Sequence, residues 1–82
     1  MIKIDFTNKI EHKYVVGIHG VKRLFDEKRR LHSYNDLPAK VWPSGAKEWY
    51  KHGIRHRDNG LPALIYEDGH KKHYENGKRV YK

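Results

Sequence analysis

His52 and His56 stand four residues apart, and His70 and His73 three apart. On a helix either spacing would turn two imidazoles toward one zinc ion, and a histidine pair beside a lysine has the groups for general acid–base cleavage of RNA. Here the histidines fall in stretches that read as hairpins. The chain has no cysteine, and too few carboxylates flank them to complete a tetrahedral set. His32 and His56 each stand just before a turn, a position suited to a structural hydrogen bond. His56-Arg57-Asp58 matches the opening of a kinase catalytic loop, but the rest of that motif is missing and 82 residues cannot hold a kinase. No Gly-rich phosphate loop, nucleophile elbow or calcium loop is written in the chain. No catalytic residue, metal or cofactor is expected, and a small ribonuclease using His52, His56 or His73 stays open as a lesser alternative.

Charge is the stronger chemical signal. Eighteen Lys and Arg face ten Asp and Glu, giving a formal charge of +8 and a pI near 9.8. Such an excess concentrates polyanions around the protein and speeds their capture. Nucleic acid comes first among the candidates, then an anionic membrane surface, then an acidic protein. Arg29, Arg30, Arg55, Arg57 and Arg79 fall at the ends of repeated units, where stacking would align them along one edge thickened by Lys28, Lys51, Lys78 and Lys82. Guanidinium forks can hold phosphates bidentately and stack on bases. Ten aromatic residues supply flat rings, and lysine interleaved with rings suits single-stranded nucleic acid. The expected RNA-binding set is Lys28, Arg29, Arg30, Lys40, Lys47, Trp49, Arg55, Arg57, Lys71, Lys78 and Arg79.

The elements that would position these groups come from a repeat. Residues 32–55 laid over 56–79 share ten identities, including Leu37/Leu61, Pro38/Pro62, Gly45/Gly69, Tyr50/Tyr74 and Arg55/Arg79. Each copy predicts a strand opening at Leu-Pro-Ala (39–42 or 63–66), a turn at Ser44-Gly45 or Asp68-Gly69, and a second strand (46–51 or 70–75). A further turn follows at His52-Gly53 or Asn76-Gly77, where Gly and Asn tolerate positive φ. GVKRLF (20–25) matches GAKEWY (45–50) and GHKKHY (69–74), marking a degenerate copy over 14–31 whose extra residue lies in DEKRR. Upstream, Ile2, Ile4 and Phe6 alternate with Lys3 and Asp5 as a half-buried strand would, Asn8-Lys9 turns the chain, and 10–18 forms a second strand. The expected fold is all-β: a single domain over 1–82, with an N-terminal strand or hairpin (1–13), the degenerate copy (14–31) and two full 24-residue units (32–55 and 56–79), forming a meander of stacked hairpins.

If each hairpin turned on two residues, one face would carry Ala39, Val41, Ala46, Glu48 and Tyr50, with Ala63, Ile65, His70, Lys72 and Tyr74 from the next unit. That face is expected to be the core. Lys40, Trp42, Lys47 and Trp49, then Leu64, Tyr66, Lys71 and His73, would form the opposite, RNA-facing side. Packing or a dimer contact is the competing use of the two tryptophans, and a one-residue change of register would exchange the faces.

The pattern Gly-x-Lys-x-(Trp/His)-Tyr-x-x-Gly, followed by His-Arg-Asp-x-Gly-x-Pro-Ala and best carried by residues 53–63, resembles the MORN-like hairpin-repeat small proteins of tailed phages. The resemblance covers about residues 14–80. HSYND (32–36) departs from it where the second copy reads HRDNG. It implies a non-enzymatic, RNA-binding counter-defence protein that inhibits a host toxin endoribonuclease in the infected bacterial cytoplasm.

Leu, Ile, Val and Phe number 18 of 82, so the core is thin, and a homodimer is expected to close its open strand edges. Without cysteine there is no disulfide. No apolar run reaches the length of a membrane span and no signal-peptide core is present, so a soluble chain with no membrane partner is expected. The rival reading is a protein-interaction module that binds an acidic partner directly.

Overall fold

The computed structural model describes residues 13–81. The strand expected at 2–6, the turn at Asn8-Lys9 and the edge residue Lys82 lie outside the described residues. Nine short strands follow in chain order: β1 (Val15–Val16), β2 (Lys22–Arg23), β3 (Lys40–Val41), β4 (Lys47–Glu48), β5 (Tyr50–Lys51), β6 (Ile54–Arg55), β7 (Leu64–Ile65), β8 (Lys71–Glu75) and β9 (Lys78–Val80). Seven form one antiparallel sheet in the order β1-β2-β3-β4-β7-β8-β9, and β5 and β6 form a separate hairpin. The described residues contain no helix. Meandering order means each strand pairs with one close in sequence, which short loops make inexpensive in entropy.

Loop length sets the register. In each of three hairpins one residue donates its N–H across three loop residues and accepts a bond from the third of them. Gly17 bonds to Val21 and Gly20, Trp42 to Ala46 and Gly45, Tyr66 to His70 and Gly69. Gly20, Gly45 and Gly69 have φ of 80°, 102° and 95°, the positive region that closes a three-residue hairpin with a bulge. The expected two-residue turns at 44–45 and 68–69 are thus one residue longer, beginning at Pro43 and Glu67. Side chains alternate along a strand, so that single residue changes which residues share a face. Lys40 lies opposite Glu48, and Val41 opposite Lys47.

The two faces expected from the sequence are therefore each half exchanged. Lys40, Trp42, Ala46 and Glu48 share one side with Leu64, Tyr66 and Lys72; Val41 and Lys47 share the other with Ile65 and Lys71. The buried apolar residues are Val21, Leu24, Ala39, Trp49, Ala63 and Leu64. Full burial of a side chain such as Leu24, 1 % exposed, contributes roughly 1.5–3 kcal/mol. Ala39 and Ala63 are wholly enclosed, so neither position has room for a larger residue.

At the other ends of the strands the chain turns on two residues. His52-Gly53 (φ 47° and 85°) and Asn76-Gly77 (φ 53° and 86°) are the turns read from the sequence. The equivalent loop at Glu27-Lys28-Arg29 has three residues, closed by Asp26 N–H to Arg30 O and Arg29 N–H to Asp26 O. There the extra residue of DEKRR is absorbed, and Arg29 takes the left-handed position with φ 65°. These tips lie against one another. Gly53 N–H donates to Leu31 O at 2.7 Å and Gly77 N–H to Arg55 O at 2.9 Å.

Candidate nucleic-acid interface

Three of the arginines expected to contact phosphate are tied into the fold. Arg57 grips Asp36 with two hydrogen bonds of 3.0 Å, donates a third to Pro62 O, and lies 3.8 Å over the centroid of the Trp49 ring. Trp49 is 4 % exposed, and its indole N–H donates to Asp36 O at 2.9 Å. Trp49 is thus a core residue with no open face for a base.

Arg55 donates to the Glu48 carboxylate and to the Tyr50 hydroxyl, both at 2.7 Å, and sits 5.3 Å and 5.2 Å from the Tyr50 and Tyr74 rings. Glu48 is buried and also accepts from the Trp42 indole and the Tyr50 hydroxyl at 2.6 Å each. Burial pushes its carboxyl up, but the three donors outweigh burial and hold it below the ordinary glutamate value. Arg30 donates to the buried carboxylate of Asp26 at 2.9 Å. Asp26 further accepts the backbone N–H groups of Lys28 and Arg30 and meets His52 Nδ1 at 2.8 Å. Burial raises that carboxyl too. The Arg30 amide, His52, the Arg30 side chain and the Lys28 amide together bring it far below the usual aspartate range.

The histidines are likewise engaged. His32 Nδ1 accepts the His52 N–H and His56 Nδ1 accepts the Asn76 N–H, each at 2.9 Å. Both bonds run from a two-residue tip back to the start of the unit. His56 Nε2 lies 2.7 Å from Asp58, which occupies its second nitrogen. Among the described residues no group of three or more His, Asp or Glu could hold a metal ion.

The remaining expected cations lie outside these clusters. Lys28, Arg29 and Lys78 are exposed at the two-residue-turn side of the sheet; Arg79 is exposed on β9 with its guanidinium 4.6 Å from the Tyr81 ring. Lys40 is half-buried with its ammonium 4.3 Å from the Trp42 ring. Lys47 and Lys71 are exposed in the sheet. One open groove of about 510 Å³ is lined by Lys71, Lys72 and Arg79, by Glu67 and Asp68, and by Tyr66, with Lys72 5.2 Å from the ring. A second cleft, of about 270 Å³, is lined by His32, Tyr50, Lys51, His56 and Asp58.

Sequence reasoning missed two residues of this surface. Lys72 was assigned to the core face because of the register. Lys22 occupies the same place in GVK as Lys47 in GAK and Lys71 in GHK, so the repeat itself marks it. No described helix is long and apolar enough to cross a membrane. In comparison with known proteins, no family model, no curated protein and no solved structure matches this chain.

Proposed function

We propose that this protein binds single-stranded RNA without cleaving it, and that its biological role is to inhibit a host toxin endoribonuclease as a phage counter-defence factor in the bacterial cytoplasm. The observation that carries the RNA reading is the groove at β7, β8 and β9, which Lys71, Lys72 and Arg79 line together with Glu67, Asp68 and the partly exposed Tyr66 ring. Cations beside a reachable ring meet both parts of an unpaired nucleotide, since ammonium groups neutralise phosphate while the ring stacks on the base. Tyr81, 79 % exposed and paired with Arg79, extends the same face. The charge of +8 supplies long-range attraction.

A non-catalytic role is supported by His56, whose ring nitrogens are both engaged, and by His52, whose Nδ1 meets the buried Asp26. The toxin role and the reading of the sheet as stacked MORN-like units rest on the sequence resemblance, and pairing as a homodimer rests on the open strand edges. Recurrence of the same loop bonds at 17–21, 42–46 and 66–70 supports the stacked units.

The test is electrophoresis of labelled single-stranded RNA with the purified protein, followed by addition of a toxin endoribonuclease. Retarded, full-length RNA and suppressed toxin cleavage are expected. Retarded RNA with unchanged toxin cleavage removes the toxin role and leaves RNA binding. Cleavage products that disappear in His52→Ala would make the protein a ribonuclease, and an absence of retardation would favour direct binding of an acidic protein.

A further inference from the structure

Read across the strands, one row of the sheet runs Val16, Lys22, Val41, Lys47, Ile65, Lys71. Each neighbour is a register partner: Val16 with Lys22, Lys22 with Val41, Val41 with Lys47, Lys47 with Ile65, and Ile65 with Lys71. Residues paired in this way project to the same side of a sheet. The three lysines are exposed, and the aliphatic residues between them, Val41 and Ile65, are half-buried. Among the described residues no carboxylate forms an ion pair with Lys22, Lys47 or Lys71, whereas Arg30, Arg55 and Arg57 each hold one.

Neighbouring strands lie about 4.8 Å apart, so lysines on alternate strands stand roughly 10 Å apart and the file from Lys22 to Lys71 spans roughly 19 Å. Short paired strands hold the Cα positions of this file, while the lysine stems stay free to follow a ligand. Lys71, its last member, also lines the groove beside Tyr66.

We infer that Lys22, Lys47 and Lys71 form a phosphate track on which a single RNA strand lies across the β-strands, rounding the sheet at Lys71 to reach the aromatic groove, whose Tyr66 and Lys72 project to the opposite side. One file of cations matches one file of phosphates, where a duplex would present two. Each lysine belongs to a different hairpin, so the number of hairpins sets the length of strand engaged. The inference rests on the RNA reading and assigns it a path distinct from the arginine edge expected from sequence.

The experiment measures affinity for labelled single-stranded RNA as a function of salt, because each lysine that neutralises a phosphate adds about 0.7 to the slope of log affinity against log salt for a single strand. Four proteins are compared: wild type; Lys22→Gln/Lys47→Gln/Lys71→Gln; Lys28→Gln/Lys51→Gln/Lys78→Gln on the turn side; and Tyr66→Ala in the groove. The track variant is expected to lower the slope by about 2 and the turn-side variant to leave it nearly unchanged. Tyr66→Ala should weaken binding roughly tenfold with the slope kept. Circular dichroism verifies each fold, and the single Lys47→Gln variant, expected to lower the slope by about 0.7, stands in if the triple variant unfolds. A slope lost in the turn-side variant and kept in the track variant would overturn the track while RNA binding stands. Failure of the wild type to bind RNA at low salt would overturn the reading beneath it.

Discussion

The Arg57 guanidinium lies 3.8 Å above the centroid of the Trp49 ring, and the two residues converge on Asp36, one on its carboxylate and one on its carbonyl oxygen. Arg57 comes from a segment whose charge reads as a ligand for phosphate, yet here it closes the top of the core. A planar, forked cation can stack on an indole and grip a carboxylate at once, and a lysine ammonium cannot.

Arg57 substitutions are therefore expected to act on stability first. Arg57→Lys and Arg57→Ala should each cost about 1–2 kcal/mol, measured by urea unfolding followed through tryptophan fluorescence. Asp36→Asn should give a smaller loss in the same direction. An Arg57→Ala variant with unchanged stability and weakened RNA binding would return this arginine to the surface role.

Acid should unfold the protein through its hydrogen-bonded carboxylates, two of them buried. Folded-state values for Glu48, Asp26 and Asp36 lie below their ordinary ones, in Asp36 because of the hydrogen bond from Arg57. A depressed carboxyl contributes stability above its unfolded value, and that contribution is lost as pH falls through the folded value. Stability should accordingly be level above about pH 5 and decline steadily below about pH 4. Glu48→Gln should cost about 2 kcal/mol at pH 7 and show a shallower acid decline, measured by denaturant midpoints across pH.

Arg29 holds φ 65° at the loop position that Gly20, Gly45 and Gly69 fill in the other three-residue hairpins. A side chain there costs about 1–2 kcal/mol, partly offset by the greater unfolded-state freedom of glycine. Arg29→Gly is expected to stabilise by up to about 1 kcal/mol, read as a rise in Tm. Gly45→Ala, which meets no atom within 4 Å, should lower Tm for the conformational reason alone.

His56 serves the tip at Asn76 through Nδ1, an acceptor that the Oδ1 of asparagine can imitate. His56→Asn should retain about 1 kcal/mol more stability than His56→Ala, with hydrogen exchange at the Asn76 amide as the local readout. Equal losses in both variants would mean that ring packing, and not the accepted bond, is what the tip needs.

Much of this fold was legible because its turns are written in residue types. His52-Gly53 and Asn76-Gly77 adopt the positive φ pairs that those residues favour, and the extra residue in DEKRR marks the loop that differs. The length of the opposite loops was misread. Pro43-Ser44-Gly45 and Glu67-Asp68-Gly69 contain a two-residue turn signal inside a three-residue loop, and only the proline, favoured at the first position of a type I turn, pointed to the longer one. That single residue moved Lys72 off the supposed core face. The fate of the arginines was less legible still. Arg57 and Asp36 are 21 residues apart, and the repeat gives no warning of their pairing because Gly60 stands where the next unit would need its aspartate.

The central claim is that exposed lysines and a tyrosine groove bind single-stranded RNA, and one titration tests it most directly. Purified protein is added to labelled single-stranded RNA and to a duplex of the same length, at low and at raised salt. Binding that prefers the single strand and weakens as salt rises is the predicted result. Equal, negligible binding to both RNAs at low salt would contradict the account.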